Sequence, residues 1–166
     1  MKKVLFTLIF SLALQSCDWI KSLGPEETFF CKINGQKFRP DKDNSPIGGW
    51  GSKPLSAVWN TDSGRLFIYA RNSPKVITLT LIFDNPILHV RNFELGLDTG
   101  ISRGQFTPEN QYDKPVRSNI SLSGKASIKK MENYKISGTF EFVCKDSTNN
   151  KEYCITEGEF NKLSYY

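Results

Sequence analysis

The chain has 166 residues, enough for one domain with a full core, and carries 22 basic and 17 acidic side chains for a formal net charge of +5. Lys2 and Lys3 belong to the leader; without them 20 basic residues face 17 acidic ones, an excess of only +3. No Lys- or Arg-rich run of the kind that tracks a phosphate backbone is present, so nucleic acid is not an expected partner.

Lys2 and Lys3 precede an apolar run over 4–14, interrupted only by Thr7 and Ser11. That length suits a secretory signal helix; a membrane-spanning helix needs about 20 apolar residues. The run ends in Leu14-Gln15-Ser16-Cys17, which resembles the lipobox of bacterial lipoproteins. The resemblance implies a diacylglyceryl group on the Cys17 thiol and cleavage between Ser16 and Cys17. Gln15 stands where a small residue is usual, and the alternative is an ordinary secretory signal with an incidental cysteine. Acyl chains contribute about 0.8 kcal/mol per buried methylene, so two or three anchor a protein stably. The expected organisation is a signal peptide over 1–16, a tether over 17–27 broken by Gly24-Pro25, and a single domain over 28–166. The expected location is the envelope, lipid-anchored in the outer membrane at its periplasmic face or at the cell surface.

From Thr28 onward, short aromatic and β-branched runs alternate with Gly, Pro, Asn and Asp clusters. This predicts an all-β fold, an antiparallel β-sandwich or a partly open barrel. Strands are expected over 28–33 and 36–39, on either side of Asn34-Gly35, a dipeptide suited to a hairpin turn with positive φ at both central residues. The polar, Gly-rich stretch 41–53 reads as a loop. Strands follow over 56–60, 65–71 and 75–84; the last is apolar on both faces near its end and therefore central. The stretch 86–104 is ambiguous, with 93–97 its best strand, and 105–114 reads as an exposed loop.

The last fifty residues alternate cleanly. Ile120, Leu122, Gly124, Ala126 and Ile128 form one inward set; Ile136, Gly138, Phe140, Phe142 and Cys144 form the next; Cys154, Thr156, Gly158 and Phe160 continue it. A turn centred near Glu132 sets Ile128 against Ile136 and Leu122 against Phe142. A turn centred on Asn149 sets Cys144 against Cys154, Phe140 against Gly158 and Gly138 against Phe160. A slip of one residue would turn each set outward.

Lys32-Ile33-Asn34-Gly35-Gln36-Lys37-Phe38, Asn92-Phe93-Glu94-Leu95, Ile136-Ser137-Gly138-Thr139-Phe140-Glu141-Phe142 and Ile155-Thr156-Glu157-Gly158-Glu159-Phe160 together resemble a family of small β-rich lipoproteins of the Bacteroidota, a domain of unknown function. The resemblance covers most of the chain after Cys17. It implies a fold and a location and carries over no catalytic residue. Cys144 and Cys154 depart from it, standing where ordinary strand residues are usual.

With Cys17 acylated, Cys31, Cys144 and Cys154 remain, in a compartment that permits disulfides. If the turn is centred on Asn149, the Cα atoms of Cys144 and Cys154 lie about 4.5–5.5 Å apart and accept a bridge. Two buried thiols, or a pairing with Cys31, are the alternatives. His89 is the sole histidine and is far in sequence from the cysteines, so no metal site and no cofactor are expected. A nucleophile–histidine site would have to use His89, and no G-x-S-x-G elbow is present. Asp84, Glu94, Asp98 and Glu109 are available carboxylates, but nothing in the sequence pairs two of them as a glycosidase requires.

The aromatic residues Trp50, Trp59 and Tyr112 remain as candidate binding residues; the alternative is that Trp50 caps the core and Trp59 is interior. The expectation is a non-enzymatic envelope lipoprotein that binds a protein or glycan partner. Protection against a toxin or hydrolase, and carbohydrate binding, are the rival roles.

Overall fold

The computed structural model describes residues 27–43, 53–98, 100–109 and 118–166. Ser16 and Cys17, with the signal peptide and nearly all of the tether, and also Trp50 and Tyr112, lie outside the described residues.

Ten strands form: β1 (Phe29–Ile33), β2 (Gln36–Phe38), β3 (Leu55–Asn60), β4 (Arg65–Asn72), β5 (Lys75–Ile82), β6 (Arg91–Glu94), β7 (Arg103–Thr107), β8 (Asn119–Glu132), β9 (Lys135–Lys145) and β10 (Glu152–Ser164). They join in one antiparallel sheet of order β2-β1-β10-β9-β8-β7-β5-β4-β3, with β6 added alongside β8. The fold is all-β, and of the two expected architectures the chain builds the partly open barrel: a single sheet, strongly curled. Its far strand β3 returns to the end of β10, where Ala57 and Tyr165 form a parallel bridge and the Trp59 N–H donates to the Tyr166 carbonyl at 2.8 Å.

Local sequence explains most strands. In β4, Leu66, Ile68 and Ala70 point inward and alternate with half-buried neighbours, the period of a strand with one covered face. β5 buries Val76, Ile77, Leu79, Thr80 and Leu81 and lies between β4 and β7, a central strand as expected. Two expectations fail. Residues 103–107 form β7 where a loop was expected from 105, because Gly104 and Phe106 face the interior and β5 and β8 supply the hydrogen bonds. The strand expected over 93–97 is Arg91–Glu94, held by its pairing with β8.

Bulges decide the register. The β8–β9 turn is Asn133-Tyr134, both with positive φ (50° and 59°), so Glu132 opposes Lys135. That turn position, with one irregularity between Ile128 and Lys130, sets Ile128 against Gly138 rather than Ile136. The same register sets Gly124 rather than Leu122 against Phe142, and a second irregularity, between Ser121 and Ser123, leaves Leu122 without a cross-strand partner and exposed. In β9–β10, Phe140 opposes Gly158 and Gly138 opposes Phe160, as expected. A bulge between Ile155 and Gly158, with Glu157 at φ 51°, then shifts the register by one. Cys144 therefore opposes Tyr153, and Cys154 opposes Val143. The expected Cys144–Cys154 staple is corrected: Cys144 is buried on the inner face, Cys154 lies half-buried on the outer one, and both are free thiols, as is Cys31.

The interior is filled. Phe106, Phe142, Phe160, Leu66, Ile68, Ile77, Leu79, Leu81, Ile128, Ile136 and Ile155 are almost wholly inaccessible. Aromatic rings lie where glycines lack a side chain. A Cβ built on Gly104 of β7 would meet three ring atoms of Phe142 at 2.6–2.8 Å, and one on Gly158 would meet ring atoms of Phe140 at 2.7 Å. The Gly104 contact joins β7 to β9 across the intervening β8, so it fixes how tightly the sheet curls.

Candidate functional site: a charged groove on the outer face

Among the described residues the inner face is lined by closely packed apolar side chains, and the candidate site lies on the outer face. The outer face of β6, β8, β9 and β10 carries a groove of about 480 Å³. Strand pairing sets two rows of outward residues side by side. One runs Asn92, Ser127, Thr139, Glu159; the other runs Glu94, Lys125, Glu141. Ser127, Thr139 and Gly158 are short and make a low floor, while long charged side chains stand at the rim.

Four glutamates (Glu94, Glu141, Glu157 and Glu159) face two lysines (Lys125 and Lys129) around the groove, so its field is acidic. Lys125 pairs with Glu141 at 3.2 Å, and Lys32 of β1 pairs with Glu157 at 2.7 Å. Among the described residues no ion pair reaches Glu94 or Glu159. The β10 bulge brings Glu157 to the rim: its left-handed backbone turns the side chain out beside Glu159.

The residues singled out from the sequence fall elsewhere. Trp59 packs edge-on against Phe83 at 5.1 Å, and Phe83 in turn meets Phe93 at 5.0 Å and His89 at 5.2 Å, so Trp59 acts as a packing residue. His89 is further fixed by a 2.8 Å contact from Nδ1 to the Ile87 carbonyl. Asp84 is bound to Arg91 at 2.6 Å; of the four carboxylates considered, only Glu94 lines the groove. Among the described residues no group of three or more His, Cys, Asp or Glu side chains is placed to hold a metal ion. Burial pushes the Cys31 thiol up to about 12, and burial with the nearby Cys154 pushes Cys144 up to about 12, so both stay protonated and unreactive.

The groove escapes a linear reading because Ser127, Thr139 and Glu159 look like ordinary outward strand positions. They become a site only when three strands and a bulge are assembled. No curated protein and no solved structure matches this chain. The family described as a domain of unknown function, DUF6252, matches residues 34–164, from the first hairpin turn to the end of β10. By that match, which runs through every strand but β1, the chain belongs to the DUF6252 family.

Proposed function

We propose that this protein is a lipid-anchored, non-enzymatic binding module of the bacterial envelope, and that the acidic groove takes a cationic segment of a protein partner. The anchor reading rests on the leader and on Leu14-Gln15-Ser16-Cys17, with diacylglyceryl transfer to the Cys17 thiol followed by cleavage between Ser16 and Cys17. It also rests on the resemblance of the hairpin motifs to small lipoproteins of the Bacteroidota; on this reading the domain sits at the outer membrane, facing the periplasm or the exterior. The single observation that carries the binding reading is the groove itself: a floor of short side chains ringed by four glutamates and two lysines.

The charge favours a protein segment over a neutral sugar, which would prefer a flat exposed aromatic ring. Protection against a toxin or hydrolase is a special case of the same reading, in which the cationic segment belongs to the attacking protein. The test compares wild type with a Glu141→Lys, Glu159→Lys double variant as bait in an envelope extract. A partner held by wild type, lost by the variant and released by salt supports the reading. A partner held equally by both, or none at all, refutes it.

A further inference from the structure

We propose that the end of the barrel formed by the β5–β6 loop and the β8–β9 turn lies against an anionic lipid surface, with Ile87, Val90 and Tyr134 among the headgroups and Lys129, Lys130, Lys135 and Lys162 facing the phosphates. The proposal goes beyond the groove and rests on the lipid anchor proposed above.

The first support is where the tether leaves. Glu27 is the first described residue, and its carbonyl accepts from Asn161 Nδ2 at 3.0 Å, while the Asn161 N–H donates to the Thr28 carbonyl at 2.9 Å. The next residue, Lys162, donates its N–H to Ser137 Oγ at 2.9 Å, one short step from the Asn133-Tyr134 turn. The chain toward Cys17 therefore departs near this end of the sheet. Ten residue steps separate Cys17 from Glu27 and reach at most about 33–36 Å. By register Glu27 lies level with about Lys130 of β8, so the turn end is a few residues from the tether, whereas the far end at Asn119 is about 35 Å away and is reached only by a fully extended tether.

The second support is the side-chain chemistry. Ile87, Val90 and Tyr134 are 64%, 57% and 78% exposed, and Val90 directly precedes Arg91, which pairs with Ile128 next to Lys129. Tyrosine settles at the headgroup level, and lysines reach phosphates while their stems cover apolar surface. Lys130, Glu132, Asn133, Lys135, Ser137, Asn161 and Lys162 surround one shallow hollow beside the turn. Glu132 is bound to Lys130 at 2.7 Å, an ion pair that holds its carboxyl below the ordinary range, and around the hollow three lysines stand against one glutamate. Asp84, at the root of the apolar loop, is neutralised by Arg91. The other exposed apolar group, Leu97, Ile101 and Leu122, lies at the opposite end of β6, away from Glu27.

The test uses the full chain produced in a bacterial host, purified and placed in phosphatidylcholine vesicles with or without phosphatidylglycerol. Intact mass first reads the acyl groups on Cys17. Amide hydrogen exchange then maps contact. The expected result is slowing by about tenfold at 85–90 and 131–135, only with phosphatidylglycerol, reversed by salt and by a Lys130→Glu, Lys135→Glu double variant. No slowing on an acylated protein, or slowing at 97–101 and 122 instead, overturns the docking while leaving the anchor intact. A protein without acyl groups that still shows the slowing at 85–90 and 131–135 sinks the anchor reading and sustains the docking.

Discussion

Gly104→Ala tests the packing that curls the sheet. The added methyl group would sit 2.6, 2.7 and 2.8 Å from three ring atoms of Phe142, whereas carbon atoms rest about 3.5–4.0 Å apart. The ring must therefore retreat by about 1 Å. It has little room, being 2% exposed and stacked beside Phe140 at 6.5 Å. Overpacking of this kind costs about 1–3 kcal/mol, offset by the roughly 0.4–1 kcal/mol that alanine contributes by stiffening the unfolded chain. The net expectation is a loss of about 1–2 kcal/mol in urea denaturation at unchanged m, or a Tm lower by about 3–6 °C. Phe142→Leu alone should cost about 1–1.5 kcal/mol. Because the smaller side chain leaves space for the methyl group, the double variant should be more stable than the sum of the two losses by about 1 kcal/mol. Strict additivity, or a Gly104→Ala protein as stable as wild type, would refute the close approach of β7 to β9.

Thiol labelling of the folded protein should modify Cys154 and spare Cys31 and Cys144 until denaturant is added; a two-dalton mass change on reduction would overturn the register described for β9 and β10. Stability should fall above pH 9. The buried Cys31 thiol stays protonated up to about 12 while its unfolded counterpart ionises near 9, so the unfolded state binds fewer protons across that window. The stabilisation is whole below pH 9 and is lost at about 1.4 kcal/mol per pH unit as pH rises toward 12. Denaturation midpoints of wild type and Cys31→Ala compared across that window should show a shallower decline in the variant, and parallel curves would count against it. Asn34→Ala should cost about 1–2 kcal/mol in urea denaturation, since Asn34 Oδ1 accepts from the Cys154 N–H at 2.7 Å, its Nδ2 donates to the Glu152 carbonyl at 3.3 Å, and its φ of 48° suits asparagine better than alanine. A loss under about 0.3 kcal/mol would mean that this tie between β1 and β10 contributes little.

Several features were readable from the linear order of residues because their causes are local. Asn34-Gly35 tolerates positive φ at both positions, and the turn forms there with φ 48° and 77°. The strand period of two showed which residues of β9 face inward, and the Gly138–Phe160 and Gly158–Phe140 pairs followed from it; in β10 it held for Gly158 and Phe160, whereas Tyr153 and Ile155 replace Cys154 and Thr156 on the inner face. What lay beyond reach depends on residues far apart in the chain. Bulges in β8 and β10 shift register by one, which moved Cys144 opposite Tyr153 and pushed Leu122 into solvent. A bulge is set by the curvature the whole sheet must adopt, and no short stretch of sequence encodes that curvature. The same holds for β7, whose Gly104 and Gln105 signal a loop until β5 and β8 close around them. The groove and the lysine-bearing turn likewise arise only when β6, β8, β9 and β10 are brought side by side, because each contributes one or two ordinary polar residues. Local chemistry thus determined the hairpin turn, most strands and the inward face of β9, and long-range pairing decided β7, the register, the closure and the surfaces available for binding.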